Sequence, residues 1–211
     1  MATWVKICGI TRLDDALLAL DAGADALGLN FVADSKRRVD RAIATQICDE
    51  LRDRIELVAV VADQSVQALG ELRRELGIDW LQLHGREAPD ELELLLPRAF
   101  KAISIATADD VALAADYGGT RLLVDAKVPG ERGGTGHVFD WSLVSQLSRR
   151  RDLIVAGGLS PENVASALAA LAPYGVDVAS GVELPGKPRQ KDEAKLRAFV
   201  AAVRAADAVR R

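Results

Sequence analysis

The sequence predicts an α/β fold in which eight parallel strands close into a (β/α)8 barrel, with residues 1–211 forming a single domain. Three observations predict it. Short runs rich in Val, Ile and Leu alternate with longer Ala/Leu stretches of helical period, the pattern of repeated strand–helix units. The runs are continuously apolar rather than alternating, as strands are when helices cover both faces of a parallel sheet. A glycine junction also recurs: Gly23-Ala24-Asp25, Gly77-Ile78-Asp79, Gly118-Gly119-Thr120 and Gly175-Val176-Asp177 precede the second, fourth, sixth and eighth runs. A two-unit repeat present four times suits a closed TIM barrel with alternating layers better than an open doubly wound sheet.

In order, the candidate strands are Trp4–Cys8, Ala26–Phe31, Glu56–Val61, Trp80–Leu83, Phe100–Ile105, Arg121–Asp125, Leu153–Ala156 and Val176–Ala179. Helical patterns between them include Arg12–Ala22, Asp40–Arg52, Ser65–Leu76, Pro161–Ala172 and a terminal Glu193–Val209. A glycine just past a helix accepts the left-handed cap conformation, so the junction glycines read as helix ends turning back into the sheet. Eight units in 211 residues leave roughly 26 residues each, so the loops must be tight.

Composition narrows the partners. Hydrophobic residues make up 49% of the chain and the net charge is only −4, which excludes a disordered chain. Aromatics are 4%, so the core is expected to be mainly aliphatic. No basic stripe invites nucleic acid. The longest apolar run, Leu57 to Ala62, is too short to cross a bilayer. The opening MATWVKICGITRLDD has no charged segment leading into a sustained apolar one, so no signal peptide is expected and a cytoplasmic location is the default. Two His and two Cys, far apart, match no usual metal-ligand spacing.

Barrel chemistry sits at the C-terminal ends of strands and in the loops that follow. Gly157 and Gly158 after the seventh strand, with Ser180 and Gly181 after the eighth, read as a phosphate cradle. Glycines let backbone N–H groups approach an anion, and the adjoining helix N-terminus favours negative charge. Cys8, at the mouth end of the first strand, reads either as a small packed side chain or as a base or nucleophile whose pKa must fall to work at neutral pH. Asp125 ends an apolar strand and reads either as a general acid or as an acceptor for loop N–H groups. His84 is expected mainly to brace Gln82 and its loop, and Cys48 to pack within a helix. The loop Gly133–Gly136 suggests a lid hinged on a helix capped by Asp140, with His137 facing solvent.

The segments VKICGIT, GADALGLNF, SKRRV, LQLHG, LLVDA, GGTGHVFDW, AGGLSPENV and VDVASGVE occur in that order along the chain. Together they resemble the phosphoribosylanthranilate isomerase family of tryptophan biosynthesis. The resemblance implies an Amadori rearrangement of N-(5-phosphoribosyl)anthranilate to 1-(2-carboxyphenylamino)-1-deoxyribulose 5-phosphate, without a cofactor or metal. It places the general base on Cys8 and the general acid on Asp125. It also places the anthranilate-carboxylate partner on Arg37, by register against Arg38, a ribose contact on Asp177, and the phosphate on Gly157, Gly158, Ser180 and Gly181. His84 joins these as a substrate-binding candidate. Lys187–Gln190 is longer than the family pattern and is expected to touch the rim near the phosphate but not the acid and base. The competing readings are a related aminoaldose isomerase, whose family places an Asp where Cys8 stands, and a non-catalytic phosphosugar-binding protein.

Overall fold

The computed structural model describes residues 2–125, 144, 147 and 151–210. Eight parallel strands close in sequence order: β1 (Trp4–Cys8), β2 (Ala26–Asn30), β3 (Glu56–Val61), β4 (Trp80–Leu83), β5 (Ala99–Ser104), β6 (Arg121–Asp125), β7 (Asp152–Ala156) and β8 (Gly175–Val178). The seam joins β1 to β8, pairing Trp4 with Gly175 and Lys6 with Asp177. Each strand falls within two residues of its predicted bounds.

The helices follow the caps written in the sequence. Helix α1 is Leu13–Asp21; α2 (Arg41–Leu51) starts at Asp40, whose carboxylate accepts from Ala42 N, and buries Cys48 on its inner face. Helix α3 (Val66–Leu76) starts at Ser65, whose hydroxyl accepts from Ala68 N, buries the stripe Leu69, Leu72 and Leu76, and ends at left-handed Gly77. Two further helices, α4 (Pro89–Glu93) and α5 (Ala108–Asp116), lie outside the predicted helical patterns, whereas α6 (Val164–Leu171) and α7 (Glu193–Val209) fall on them. Gly175 departs from the expected role. The helix before it ends on left-handed Ala172. Gly175 instead opens β8, where a Cβ would lie 2.8 Å from the carbonyl oxygen of Trp4. It is there to let two backbones meet at the seam.

Side chains alternate between two cores. Outward residues pack under the helices; inward ones, among them Ala26, Val58, Phe100, Ala102, Leu123 and Ile154, fill the barrel. The N-terminal end is plugged. Arg121 lies 4.0 Å from the centre of the Trp80 ring and 5.0 Å from that of Trp4, and pairs with Glu56 at 2.9 Å. Two of the three tryptophans thus concentrate where a stacked guanidinium seals the floor. The opposite mouth is left for chemistry. After β8 come a 3-10 turn (Ser180–Val182) and an unpredicted antiparallel hairpin, β9 (Glu183–Leu184) and β10 (Lys187–Lys191).

Candidate active site

Alternation along β1 turns Trp4, Lys6 and Cys8 into the barrel, and the register sets Lys6 beside Asp177 and Cys8 beside Gly28. Lys6 Nζ donates to Asp177 Oδ1 at 2.9 Å, with the ammonium fully buried. Cys8 is one step nearer the mouth and also buried. A Cβ on Gly28 would lie 2.8 Å from Cys8 Sγ and 3.0 Å from Lys6 Nζ, so glycine leaves the space these groups occupy. In the ligand-free molecule the thiol pKa is not lowered. Burial and then the Asp177 charge push it up, against the opposing pull of Lys6 and Lys191.

Arg37, and not Arg38, reaches the site. Arg38 is exposed where its backbone bridges to Asn30. Arg37 is half-buried across Gly9, which adopts a φ of +74° and would place a Cβ 2.5 Å from Arg37 Cδ. Its guanidinium donates through Nε and Nη2 to the two oxygens of Glu183 at 2.6 and 2.7 Å. An internal carboxylate therefore already holds the fork in the planar geometry that a ligand carboxylate would use.

The hairpin after β8 does more than extend the rim. Lys191, at the end of β10, is buried and donates to the carbonyl oxygens of Cys8 at 2.7 Å and Ala179 at 3.1 Å. Its ammonium also lies 3.5 Å from Glu183 Oε1, and its backbone N–H donates to Asp15. Lys191, the residue that follows Lys187–Gln190, thus holds the Cys8 carbonyl, because a buried ammonium needs several oxygen acceptors and the strand end supplies them.

Gly157 and Gly158 take φ values of +93° and +65°, and open space faces Gly158. Asn163 braces this loop, donating to the Gly158 carbonyl and accepting from Ser160 N. A Cβ on Gly181 would fall on the carbonyl oxygen of Leu159, so the turns after β7 and β8 touch backbone to backbone. Gly181→Ala is expected to lower stability by about 1–3 kcal/mol, the usual cost of forced overpacking. Gly158→Ala, which meets only an unfavourable φ, is expected to cost less; thermal melts of the two variants check the order.

His84 stands exposed just past β4, with Nδ1 3.2 Å from Gln82 Nε2, as the bracing role requires. Partial desolvation lowers its pKa, while the Asp125 charge acts in the other direction. Asp125 is half-buried at the end of β6, three strands from Cys8 by the shorter way round the barrel. The mouth thus gathers Cys8, Arg37, His84, Asp125 and Asp177 with the two glycine turns. Cys48 lies outside it, in the layer under α2. The Gly133–Gly136 loop, His137 and Asp140 lie outside the described residues.

The family model for N-(5'phosphoribosyl)anthranilate (PRA) isomerase matches residues 5–202. The chain belongs to the phosphoribosylanthranilate isomerase family. The N-(5'-phosphoribosyl)anthranilate isomerase of Geobacter sp. (strain M21) is 42% identical over 199 residues, covering 94% of this chain and 97% of the relative. That of Pseudomonas fluorescens (strain SBW25) is 45% identical over 201 residues, covering 94% of each. Among solved structures, phosphoribosyl anthranilate isomerase from Thermotoga maritima superposes with a TM-score of 0.88 at 35% identity, over 96% of this chain and 99% of that one. Another phosphoribosyl anthranilate isomerase, solved with reduced 1-(o-carboxyphenylamino)-1-deoxyribulose 5-phosphate, superposes at 0.84 with 32% identity, over 96% of this chain and 99% of that one.

As a phosphoribosylanthranilate isomerase of tryptophan biosynthesis, the chain carries two groups whose placement sequence reasoning missed. Glu183 lies at the end of the VDVASGVE segment and Lys191 follows Lys187–Gln190, and both are buried against the site. The available signal was weak. Lys191 ends the polar run Lys187-Pro188-Arg189-Gln190, which reads as a solvated loop. Lys6 left a stronger one: a lysine at an inward position of an apolar strand must find an anion.

Proposed function

We propose that this isomerase converts N-(5-phosphoribosyl)anthranilate to 1-(2-carboxyphenylamino)-1-deoxyribulose 5-phosphate, with Cys8 as general base and Asp125 as general acid. The observation that carries this reading is the placement of a thiol and a carboxyl at the ends of β1 and β6, on two sides of one mouth. Asp125 gives a proton to the ring oxygen as the C1–O bond breaks, and the nitrogen lone pair forms the C1=N iminium. Cys8, as thiolate, takes the C2 proton, and the electron pair of that C–H bond moves to neutralise the iminium. The resulting enolamine tautomerises to the ketone. Overall C2 is oxidised from alcohol to ketone as C1 is reduced within the same molecule, so no external oxidant is needed and one acid and one base suffice.

Burial and the Asp177 charge raise the thiol pKa, so the thiolate forms, its proton passing to solvent, once ring opening has set the cationic iminium beside it. Gly157, Gly158, Ser180 and Gly181 hold the phosphate, whose remote binding energy fixes the sugar between the two groups. Arg37 takes the anthranilate carboxylate on a guanidinium edge other than the Nε–Nη2 edge that Glu183 engages. Asp177 faces the ribose hydroxyls, and His84 contributes a hydrogen bond from the opposite rim. The partner in this reading is the small phosphorylated substrate; among the described residues no helix is long and apolar enough to cross a membrane.

Freshly generated phosphoribosylanthranilate tests the proposal. The purified protein is expected to consume it, read as loss of its anthranilate-type fluorescence. Intact phosphosugar binding without turnover would point to a non-catalytic binding protein instead.

A further inference from the structure

The reaction above gives Lys6 no task. Its ammonium is fully buried, yet it is not in the plug at the floor of the barrel. It sits one inward position below Cys8 and directly beside Asp177. One point in space, the missing Cβ of Gly28, lies within 3.0 Å of both Nζ and Sγ, so the ammonium and the sulfur share a single small chamber. Within it Lys6 bonds to Asp177, and its charge acts on Cys8.

We propose that Lys6 is a positioning residue of the isomerase reaction: its buried ammonium is the counter-charge that lets the Asp177 carboxylate and the Cys8 thiolate exist side by side. The inference rests on the assignment of Cys8 as base and adds how that base is held in its active form. With Lys6 present, carboxylate, ammonium and thiol sum to zero. Loss of the thiol proton then leaves a single negative charge, which the iminium of the substrate neutralises. Without Lys6 the same step would put two like charges in a desolvated chamber, where one of them must keep its proton.

The neighbouring charges do not replace it. Lys191 also acts on Cys8, but its ammonium is engaged by the carbonyls of Cys8 and Ala179 and by Glu183. Arg37, which feels the Cys8 charge, is held in both prongs by Glu183. His84 stands across the mouth near Asp125 and is itself opposed by Lys6. Burial works against the Lys6 charge, yet Asp177 and Cys8 together hold its pKa above the ordinary lysine value, so the ammonium persists through the working range.

The test titrates the thiol directly, in full-length protein carrying Cys48→Ala so that Cys8 is the only cysteine. Thiolate absorbance in the ultraviolet and the rate of iodoacetamide alkylation are followed against pH, without substrate. Lys6→Met is expected to cut the thiolate fraction at a given pH by about tenfold or more, and Asp177→Asn to raise it. The double variant, with both charges gone, is expected to return towards the parent, a cancellation of opposite charge effects that a packing role would not produce. A Lys6→Met titration that overlays the parent overturns the proposal. If that variant does not fold, an unmoved Asp177→Asn titration overturns it instead. Because no substrate is present, failed turnover with these shifts intact would sink the isomerase assignment of Cys8 alone and leave the charge arrangement supported.

Discussion

Cys8→Ala and Asp125→Ala are each expected to lower kcat by about 10²-fold or more, the share commonly carried by one positioned acid or base. The two losses should differ in kind. Without Cys8 the ring can still open, but no group lies over C2 to take its proton. Without Asp125 the ring oxygen must leave unprotonated, so the first step fails. Neither change should unfold the chain: Cys8→Ala removes one small buried group, and Asp125 is only half-buried. Stopped-flow fluorescence with freshly made substrate checks both rates, and circular dichroism checks the fold. Robust turnover in Asp125→Ala would remove that carboxyl from the mechanism. The double variant should fall little below the worse single one, because both act on one reaction path.

Glu87→Ala is expected to cost about 3–5 kcal/mol of stability, the range found when one partner of a buried ion pair is removed. Glu87 and Lys101 are almost wholly buried and pair at 2.7 Å. The carboxylate also accepts from Asp63 N at 2.8 Å and from Gly85 N at 3.0 Å, and Lys101 donates to the Gly85 carbonyl at 2.6 Å. Tyr117 closes the cluster, donating its hydroxyl proton to the Glu87 carbonyl, with Lys101 Nζ 5.7 Å from the centre of its ring. Truncation at Glu87 strands the ammonium and frees the turn that carries His84. Urea denaturation measures the loss. Replacing both partners, as Glu87→Gln with Lys101→Met, should recover a large part of it, since no buried charge is then left alone.

Much of this molecule was legible in its residues. Strand runs such as Glu56–Val61 are continuous and β-branched, and Ser65 with Gly77 brackets α3 at both ends, so local chemistry sufficed. Gly175 was misread because a glycine at a helix–strand junction looks the same whether it caps a helix or admits a neighbouring backbone; only the seam distinguishes them. The β9–β10 hairpin was missed for a related reason. Its strands are two and five residues long, polar and broken by Pro185-Gly186, so no periodicity announces them. At the site, Cys8, Asp125 and the glycine turns were readable from position along the barrel. The Arg37–Glu183 pair, 146 residues apart, was not, because partner choice across such a span is decided by tertiary geometry.

The contact between Lys6 and Asp177 spans 171 residues and exists only once β8 has docked on β1. Without that docking the Lys6 ammonium, on an inward position of β1, has no Asp177 to meet. Collapse around that charge would bury it unpaired, at a cost of several kcal/mol. Premature closure is therefore disfavoured, and the arrival of Asp177 removes the obstacle. Thr3 and Asp207, bonded at 2.6 and 2.8 Å, lock the same seam from outside. Recovery of activity on refolding is therefore expected to coincide with docking of β8 on β1, where Lys6 meets Asp177.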